Sequence, residues 1–321
     1  MTLFLDEKCV AGLLGMDDAL DAVEEVFAEV GRGNVTNVPR VRAPLGNGTL
    51  RITAAVLDTI GYYGIKVSST TIFESSAGRV FSLYKADTGV LAAIVQVFAM
   101  GALRTGAASG VATKYMARAD AQRLAIIGTG RQARTQAEAI CKVRPISEIR
   151  AFSRSAENRE RFCRDLAPLA ANVRGTKTAQ EAVRDADIVV TATTATEPVL
   201  LGEWLAPGTH VNAIGANFEH RRELDLDAVA LAQVIASDDL EQVKYEATDL
   251  AAPVAEGLMG WDRVLSLGDI VAGKRPGRNS NADITLFKSL GVALEDVALA
   301  ARAYEKAVAQ GVGQQLPDLA G

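Results

Sequence analysis

Apolar positions along the first ~120 residues recur at helical spacing and then in short alternating runs. Leu20, Val23, Val26, Phe27 and Val30 share one face of a helix predicted over residues 16–30, and Gly31 is placed to stop it. Strand-like runs follow at residues 50–54, 64–68, 80–84 and 91–97, parted by turn residues such as Gly46-Asn47-Gly48 and Ala86-Asp87-Thr88-Gly89. Close spacing without intervening helices predicts an antiparallel or mixed sheet. Residues 105–118 then read as a helix whose Ala and Gly let its backbone approach a neighbour or a ligand.

From Arg123 the rhythm changes to strand, helix, strand. Candidate strands at residues 124–127, 148–152, 187–192, 210–213 and 234–237 are spaced for a parallel sheet of βαβ units. A last helix over residues 292–310 carries Leu294, Val297, Ala301, Tyr304 and Val308 on one stripe, with Gly311 as its stop. Packed back on the N-terminal region, it makes that region discontinuous. The fold class is therefore α/β: a Rossmann doubly wound parallel sheet over residues 119–295, and a mixed α+β domain from residues 1–118 with 296–321.

Charge narrows the partners. The 321 residues include 34 basic and 39 acidic side chains, for a net charge of −5, and no basic run is dense enough for nucleic acid. Lys274-Arg275-Pro276-Gly277-Arg278 reads as a solvated loop. Cys9, Cys141 and Cys163 are widely spaced and odd in number, which fits reduced thiols in a cytoplasmic protein. His210 and His220 are the two histidines, and no Cys/His pair has metal-ligand spacing, so no metal is expected. No apolar run reaches the ~18 residues of a membrane span, and no secretory signal is expected.

The strongest motif is Gly128-Thr129-Gly130-Arg131-Gln132-Ala133, directly after an apolar strand and opening a helix. The first glycine permits the tight turn, the second lets backbone approach a pyrophosphate, and Ala133 permits close helix–strand packing. The helix N-terminus offers free N–H groups to the phosphates. At the end of the next strand, where an NAD site usually carries a carboxylate, the chain reads Ser153-Arg154-Ser155. That favours NADP(H), with NAD(H) as the alternative. Thr193, after a later strand, is a further candidate for the cofactor.

Three cations stand in apolar surroundings: Arg40 after Pro39, Lys66 inside 62–67, and Arg104 beside Leu103. Buried cations need partners, and a small carboxylate is one, with arginine giving bidentate geometry. Each read alone is a surface charge or a structural ion pair before it is a ligand; the set gains meaning only with the resemblance below. His220 is a loop residue able to shuttle protons or simply exposed. Lys288 and Ser289 border the nicotinamide or merely end a strand.

In these and further segments the chain resembles the ornithine cyclodeaminase/μ-crystallin family. The resemblance rests on Gly64-Ile65-Lys66-Val67, residues 102–109, Gly128 to Ala133, Val211 to Gly215, Arg222-Glu223-Leu224-Asp225 and Phe287 to Gly291. It implies a homodimer, with the mixed domain serving dimerisation and substrate binding. It also implies that Arg40, Lys66 and Arg104 hold a substrate α-carboxylate, with Arg42 a rival for Arg40. Thr105 and the loop at Gly215 are expected near the nicotinamide.

Two departures argue against ornithine cyclodeamination. Asn217 stands where the cyclodeaminases place an aspartate, and an amide is no base. Arg51 stands where an acid would receive the δ-amino group; it repels an ammonium, and either meets a second carboxylate or faces solvent. The expected activity is NAD(P)H-dependent reduction of an α-imino acid or cyclic ketimine to an amino acid. Lys66, or a water ordered by Asn217, then supplies the proton. The alternatives are a lyase releasing ammonia with bound NAD, and a non-catalytic NADP-dependent binding protein.

Overall fold

The computed structural model describes residues 2–70, 79–218 and 220–317. Along the chain these form β1 (Leu3–Leu5), α1 (Glu7–Leu13), α2 (Met16–Arg32), β2 (Thr36–Leu45), β3 (Gly48–Leu57), β4 (Tyr62–Ser69), β5 (Val80–Lys85), β6 (Leu91–Gln96) and α3 (Phe98–Met116). Then come β7 (Arg123–Ile127), α4 (Arg131–Val143), β8 (Glu148–Phe152), α5 (Ala156–Leu166), β9 (Asn172–Gly175), α6 (Ala179–Val183), β10 (Ile188–Thr191), β11 (His210–Ala213), α7 (Leu226–Ala230) and β12 (Val234–Ser237). The chain closes with α8 (Gln242–Glu246), α9 (Thr248–Ala255), β13 (Val264–Ser266), α10 (Leu267–Val271), β14 (Thr285–Lys288), α11 (Ala293–Gln310) and β15 (Gln314–Gln315). Two compact units result: Met1–Arg104 with Gly291–Gly321, and Thr105–Leu290.

The first unit is a mixed sheet ordered β15-β1-β6-β5-β4-β3-β2, antiparallel except for the β1–β6 pair. One face is covered by α11, which packs on β3, β4 and β5 and against α2. The buried side of α2 is Leu20, Val23, Val26 and Phe27, as the apolar spacing predicted. Its end differs: Gly31 is buried inside the helix, and Gly33, at φ +79, makes the left-handed stop. Strand β2 escapes the apolar pattern because it holds Pro39 and Pro44, which only an edge strand or a bulge tolerates. It is an edge strand, and its register slips between Val38 and Val41. Helix α3 begins at Phe98 rather than 105. Its first N–H groups, of Phe98 and Ala99, are capped by the Glu7 carboxylate at 2.6 and 2.9 Å, so no nearby residue announces the start.

The second unit is an all-parallel sheet ordered β13-β12-β14-β11-β10-β7-β8-β9. Side chains alternate along β7: Leu124 and Ile126 join a core with Ala133, Ala137, Ile140 and Phe162, while Ala125 and Ile127 join another with Val183, Val189, Val211 and Val229. Both faces are thus buried, as a doubly wound sheet requires. Strand order reverses between β7 and β10, and the loops leaving these two strands meet there. A Cβ at Gly128, whose φ is +110, would lie 2.3 Å from the carbonyl oxygen of Ala192. No described helix is long and apolar enough to cross a membrane.

Candidate functional site

In the first unit, the sheet and α11 bring Arg40, Lys66 and Arg104 to one place. Lys66 is directly opposite Thr53 and Phe81 in the ladder, on the face that α11 covers. The β2 bulge leaves Arg40 opposite the same Thr53 rung, and its guanidinium donates to the carbonyl of Gly291 at 2.5 Å. Lys66 donates to Asp296, and Arg104 donates to Glu295 at 2.9 Å and lies 3.4 Å from Asp296. Glu295 and Asp296 sit in the first turn of α11, where the helix dipole favours negative charge. Both acids are fully buried, whereas Lys66 keeps 16% of its side chain open and Arg104 12%. Gly291 holds this corner together. Its φ is +72, and a Cβ there would meet the Arg104 guanidinium at 2.3 Å.

Three cations and two carboxylates thus meet at the start of α11. Burial pushes the Lys66 ammonium down to about 8; Asp296 opposes this, and Arg104 and Arg40 add to it. Burial alone would raise the Asp296 carboxyl, but Lys66, Arg104 and Arg40 outweigh it and hold that group below the usual range. Lys66 is the one group of the cluster brought near neutral pH, and it and Arg104 keep part of their side chains open. Arg51 lies on this same sheet face, one rung along, directly opposite Arg42 on one side and Ser68 on the other.

In the second unit, Gly128, Thr129 and Gly130 form the turn between β7 and α4. Gly130 caps α4 without a side-chain partner, and a Cβ there would meet nothing within 4 Å. The α4 N-terminus is therefore open to a phosphate, with Arg131 exposed and Gln132 half-buried in its first turn. Ala133 is buried against the sheet. The Thr129 hydroxyl donates to Ser153 at 3.0 Å, and Ser153 donates to the carbonyl of Ser155, so the two candidate loops are tied; Arg154 between them is exposed. Thr105 is buried, and its carbonyl accepts from the Gln136 amide at 3.0 Å. Gly106 lets α3 touch α4: a Cβ there would sit 2.5 Å from the Thr135 carbonyl oxygen. This glycine pattern fits a dinucleotide.

Thr193 and Gly215 follow β10 and β11, and one carboxylate joins them. Glu223 accepts from the Thr193 N–H at 2.6 Å, the Thr193 hydroxyl at 2.8 Å, the Gly215 N–H at 2.7 Å and the Thr191 hydroxyl at 2.9 Å. Burial raises its pKa, with Lys288 opposing. Asp249 accepts from the N–H groups of Glu223 and Leu224 and pairs with Lys288 at 2.8 Å, all out of solvent. Asn217 lies on the loop after β11, half-buried. His220 is exposed. His210 is buried against Thr285 and pushed down to about 3 by burial, so it stays neutral.

Four acids carry roles that their sequence positions did not reveal: Glu223, seen only as part of the 222–225 segment, and Asp249, Glu295 and Asp296. The one signal for the last two is a pair of adjacent acids in the otherwise apolar run 292–301. Their burial depends on contacts from far along the chain.

A doubly wound parallel sheet with a glycine turn at its switch point, in a chain whose other unit carries a cationic cluster, defines a Rossmann-type protein. The chain belongs to the ornithine cyclodeaminase/mu-crystallin family, whose family model matches residues 1–311. Among solved structures it is similar to the Thermococcus litoralis Δ1-pyrroline-2-carboxylate reductase in complex with NADH and L-proline. That match is 34% identical with a TM-score of 0.91, covering 98% of this chain and 100% of the other. An archaeal alanine dehydrogenase dimer with bound NAD is 34% identical with a TM-score of 0.92, covering 98% and 99%. The iminosuccinate reductase of Paracoccus denitrificans is 32% identical over 324 residues, covering 98% and 99%.

Proposed function

We propose that this protein is an NAD(P)H-dependent reductase of an α-imino acid, running in reverse as an amino-acid dehydrogenase. The observation that carries this reading is the buried cluster of Arg40, Lys66 and Arg104 at the start of α11, with a lysine held at about 8. Arg40 and Arg104 orient the substrate α-carboxylate, Arg104 by bidentate hydrogen bonds. Asp296 and Glu295 fix the donors before substrate arrives, so little ordering remains to be done. Lys66 gives its proton to the imine nitrogen. Asn217 offers amide hydrogen bonds but nothing that titrates, which leaves the proton to Lys66. The relatives' names, an alanine dehydrogenase and two imine reductases, support the same chemistry. Asn217 and Arg51, where a cyclodeaminase carries acids, weigh against the lyase.

The residues of the second unit fit a nicotinamide dinucleotide. Gly128, Gly130 and the α4 N-terminus would hold its pyrophosphate; Thr105, Thr193 and Gly215 would border its nicotinamide. When bound, the reduced nicotinamide supplies the hydride. Ser153 and the exposed Arg154 close β8 with no carboxylate at that position, which favours the 2′-phosphate of NADP(H) over NAD(H).

The protein acts as a homodimer. The sheet face turned away from α11 carries Val38, Val41 and Val67, all exposed, with Ile52 beside them in the ladder. A second copy would cover this apolar face, as the relative described as a dimer supports.

The test follows absorbance of NADPH, with NADH in parallel, against 2-oxo acids plus ammonia and preformed cyclic imines. Oxidation with one imine class is the expected result. Ammonia release from L-ornithine with NAD⁺, and no reduction of any imine, would replace the reading with the lyase.

A further inference from the structure

We propose that the buried Glu223 carboxylate sets the balance between the two oxidation states of the nucleotide, holding the oxidised form more tightly than a neutral residue there would. This rests on the dinucleotide reading above and deepens it. Topology places the charge. Strand order reverses between β7 and β10, so a dinucleotide whose pyrophosphate lies at the α4 N-terminus divides there. One half lies on the β8 side, toward Ser153 and Arg154. The other lies over the ends of β10 and β11. The loops leaving those two strands hold Thr193 and Gly215, and Glu223 is bonded to the backbone of both.

Its hydrogen bonds hold Glu223 in the charged form. Each oxygen faces one backbone N–H that cannot turn away: Thr193 at 2.6 Å on Oε1, and Gly215 at 2.7 Å on Oε2. Each also accepts from one threonine hydroxyl. A carboxylate so surrounded resists protonation even where burial opposes its charge. Lys288 acts on it through space but gives its hydrogen bond to Asp249, at 2.8 Å. Among these three buried groups, one cation answers two carboxylates. Gly215 makes the close approach possible. A Cβ there would lie 2.2 Å from the Thr193 carbonyl oxygen and 2.5 Å from Glu223 Oε1.

A negative charge at this place acts on one oxidation state only. Loss of a hydride, two electrons and one proton, turns a neutral dihydropyridine ring into a pyridinium cation. The hydride goes to the imine carbon and a proton goes to its nitrogen, so positive charge appears on the ring as the amine forms. A ring resting on the Thr193 and Gly215 backbone would stand about 6–7 Å from the carboxylate, one hydrogen bond and one van der Waals contact away. At an effective dielectric of about 20, unit charges at that separation shift an equilibrium by about 10- to 100-fold. The field of Glu223 therefore favours hydride donation and delays release of the oxidised nucleotide.

The experiment measures the dissociation constants of NADPH, by its fluorescence, and of NADP⁺, by displacement of NADPH, with NADH and NAD⁺ in parallel. In Glu223→Gln both forms should weaken as the loops loosen, but the oxidised form should weaken about tenfold more. That change in the ratio is about 30 mV in the potential of the bound couple. Glu223→Asp keeps the charge and should keep the ratio near that of the wild type, even where both affinities fall. Should the amide variant not fold, Lys288→Gln removes the cation while leaving Asp249 a donor, and the ratio should move the other way. An unchanged ratio in Glu223→Gln, a ratio in Glu223→Asp that follows Glu223→Gln, or no opposite movement in Lys288→Gln would overturn the electrostatic role and leave Glu223 a support for the loops. Failure of the wild type to bind either form of either nucleotide would remove the dinucleotide reading as well.

Discussion

The two units present their chemistry in opposite ways. In the second, the features that suit a nucleotide come from a few consecutive residues, Gly128 to Ala133, and from backbone at the ends of neighbouring strands. In the first, the cluster is assembled from residues 40, 66, 104, 291, 295 and 296, which only the folded sheet and α11 bring together. A site offered by backbone N–H groups should survive the loss of most single side chains. A site assembled from charged side chains depends on each of them. Substitutions in the first unit should therefore damage turnover, and those in the second should damage nucleotide affinity.

The largest effect is expected from Lys66→Met. Loss of a general acid costs about 10²- to 10⁴-fold, so kcat should fall about 1,000-fold while NADPH still binds by fluorescence titration. Retained turnover would take Lys66 out of the mechanism. Next is Asp296→Asn, which removes one partner of a buried pair and should cost about 3–5 kcal/mol in denaturant unfolding. It should also move the alkaline limb of the rate below 8, because Asp296 is what opposes the downward push on Lys66. A stable Asp296→Asn with an unmoved limb would show that the two groups are not coupled.

Gly291→Ala sharpens the contrast further. It forces an L-residue into left-handed backbone, at about 1–2 kcal/mol, and drives a Cβ into the Arg104 guanidinium. Activity should fall more than that stability loss alone explains, in KM for the substrate and not for the nucleotide. Glu223→Gln is the counterpart in the second unit. An amide cannot accept from all four donors that Glu223 serves, so KM for the nucleotide should rise about tenfold. Arg154→Ala should act least on overall rate, lowering the preference for NADPH over NADH about 10-fold, as expected for one charge-assisted contact.

How much of this was legible in the chain follows the same division. Strands β8, β11 and β12 fall at the residues expected for them, because the strand–helix rhythm of a parallel sheet is written in consecutive residues. The glycine turn was legible for the same reason. Strand β2 was not, since Pro39 and Pro44 obscure an edge strand. Nor was the start of α3, capped by Glu7 from 91 positions away. The cations Arg40, Lys66 and Arg104 were visible as charges in apolar surroundings. Their partners were not, because adjacent acids at the start of a helix look the same whether they are solvated or buried. Glu223 was visible as part of a motif, but its role depends on Thr193 and Gly215, which reach it only through the sheet.

The most direct test of the central claim is the pH dependence of kcat/KM for imine reduction, which reports the ionisation of the free enzyme. With Lys66 as the proposed proton donor, it must be protonated to act, and burial places the loss of its proton at about 8. The rate constant should therefore hold below that pH and fall above it with unit slope, and Lys66→Met should abolish the limb. A wild-type profile that stays level to pH 10 would contradict the assignment of the proton to Lys66.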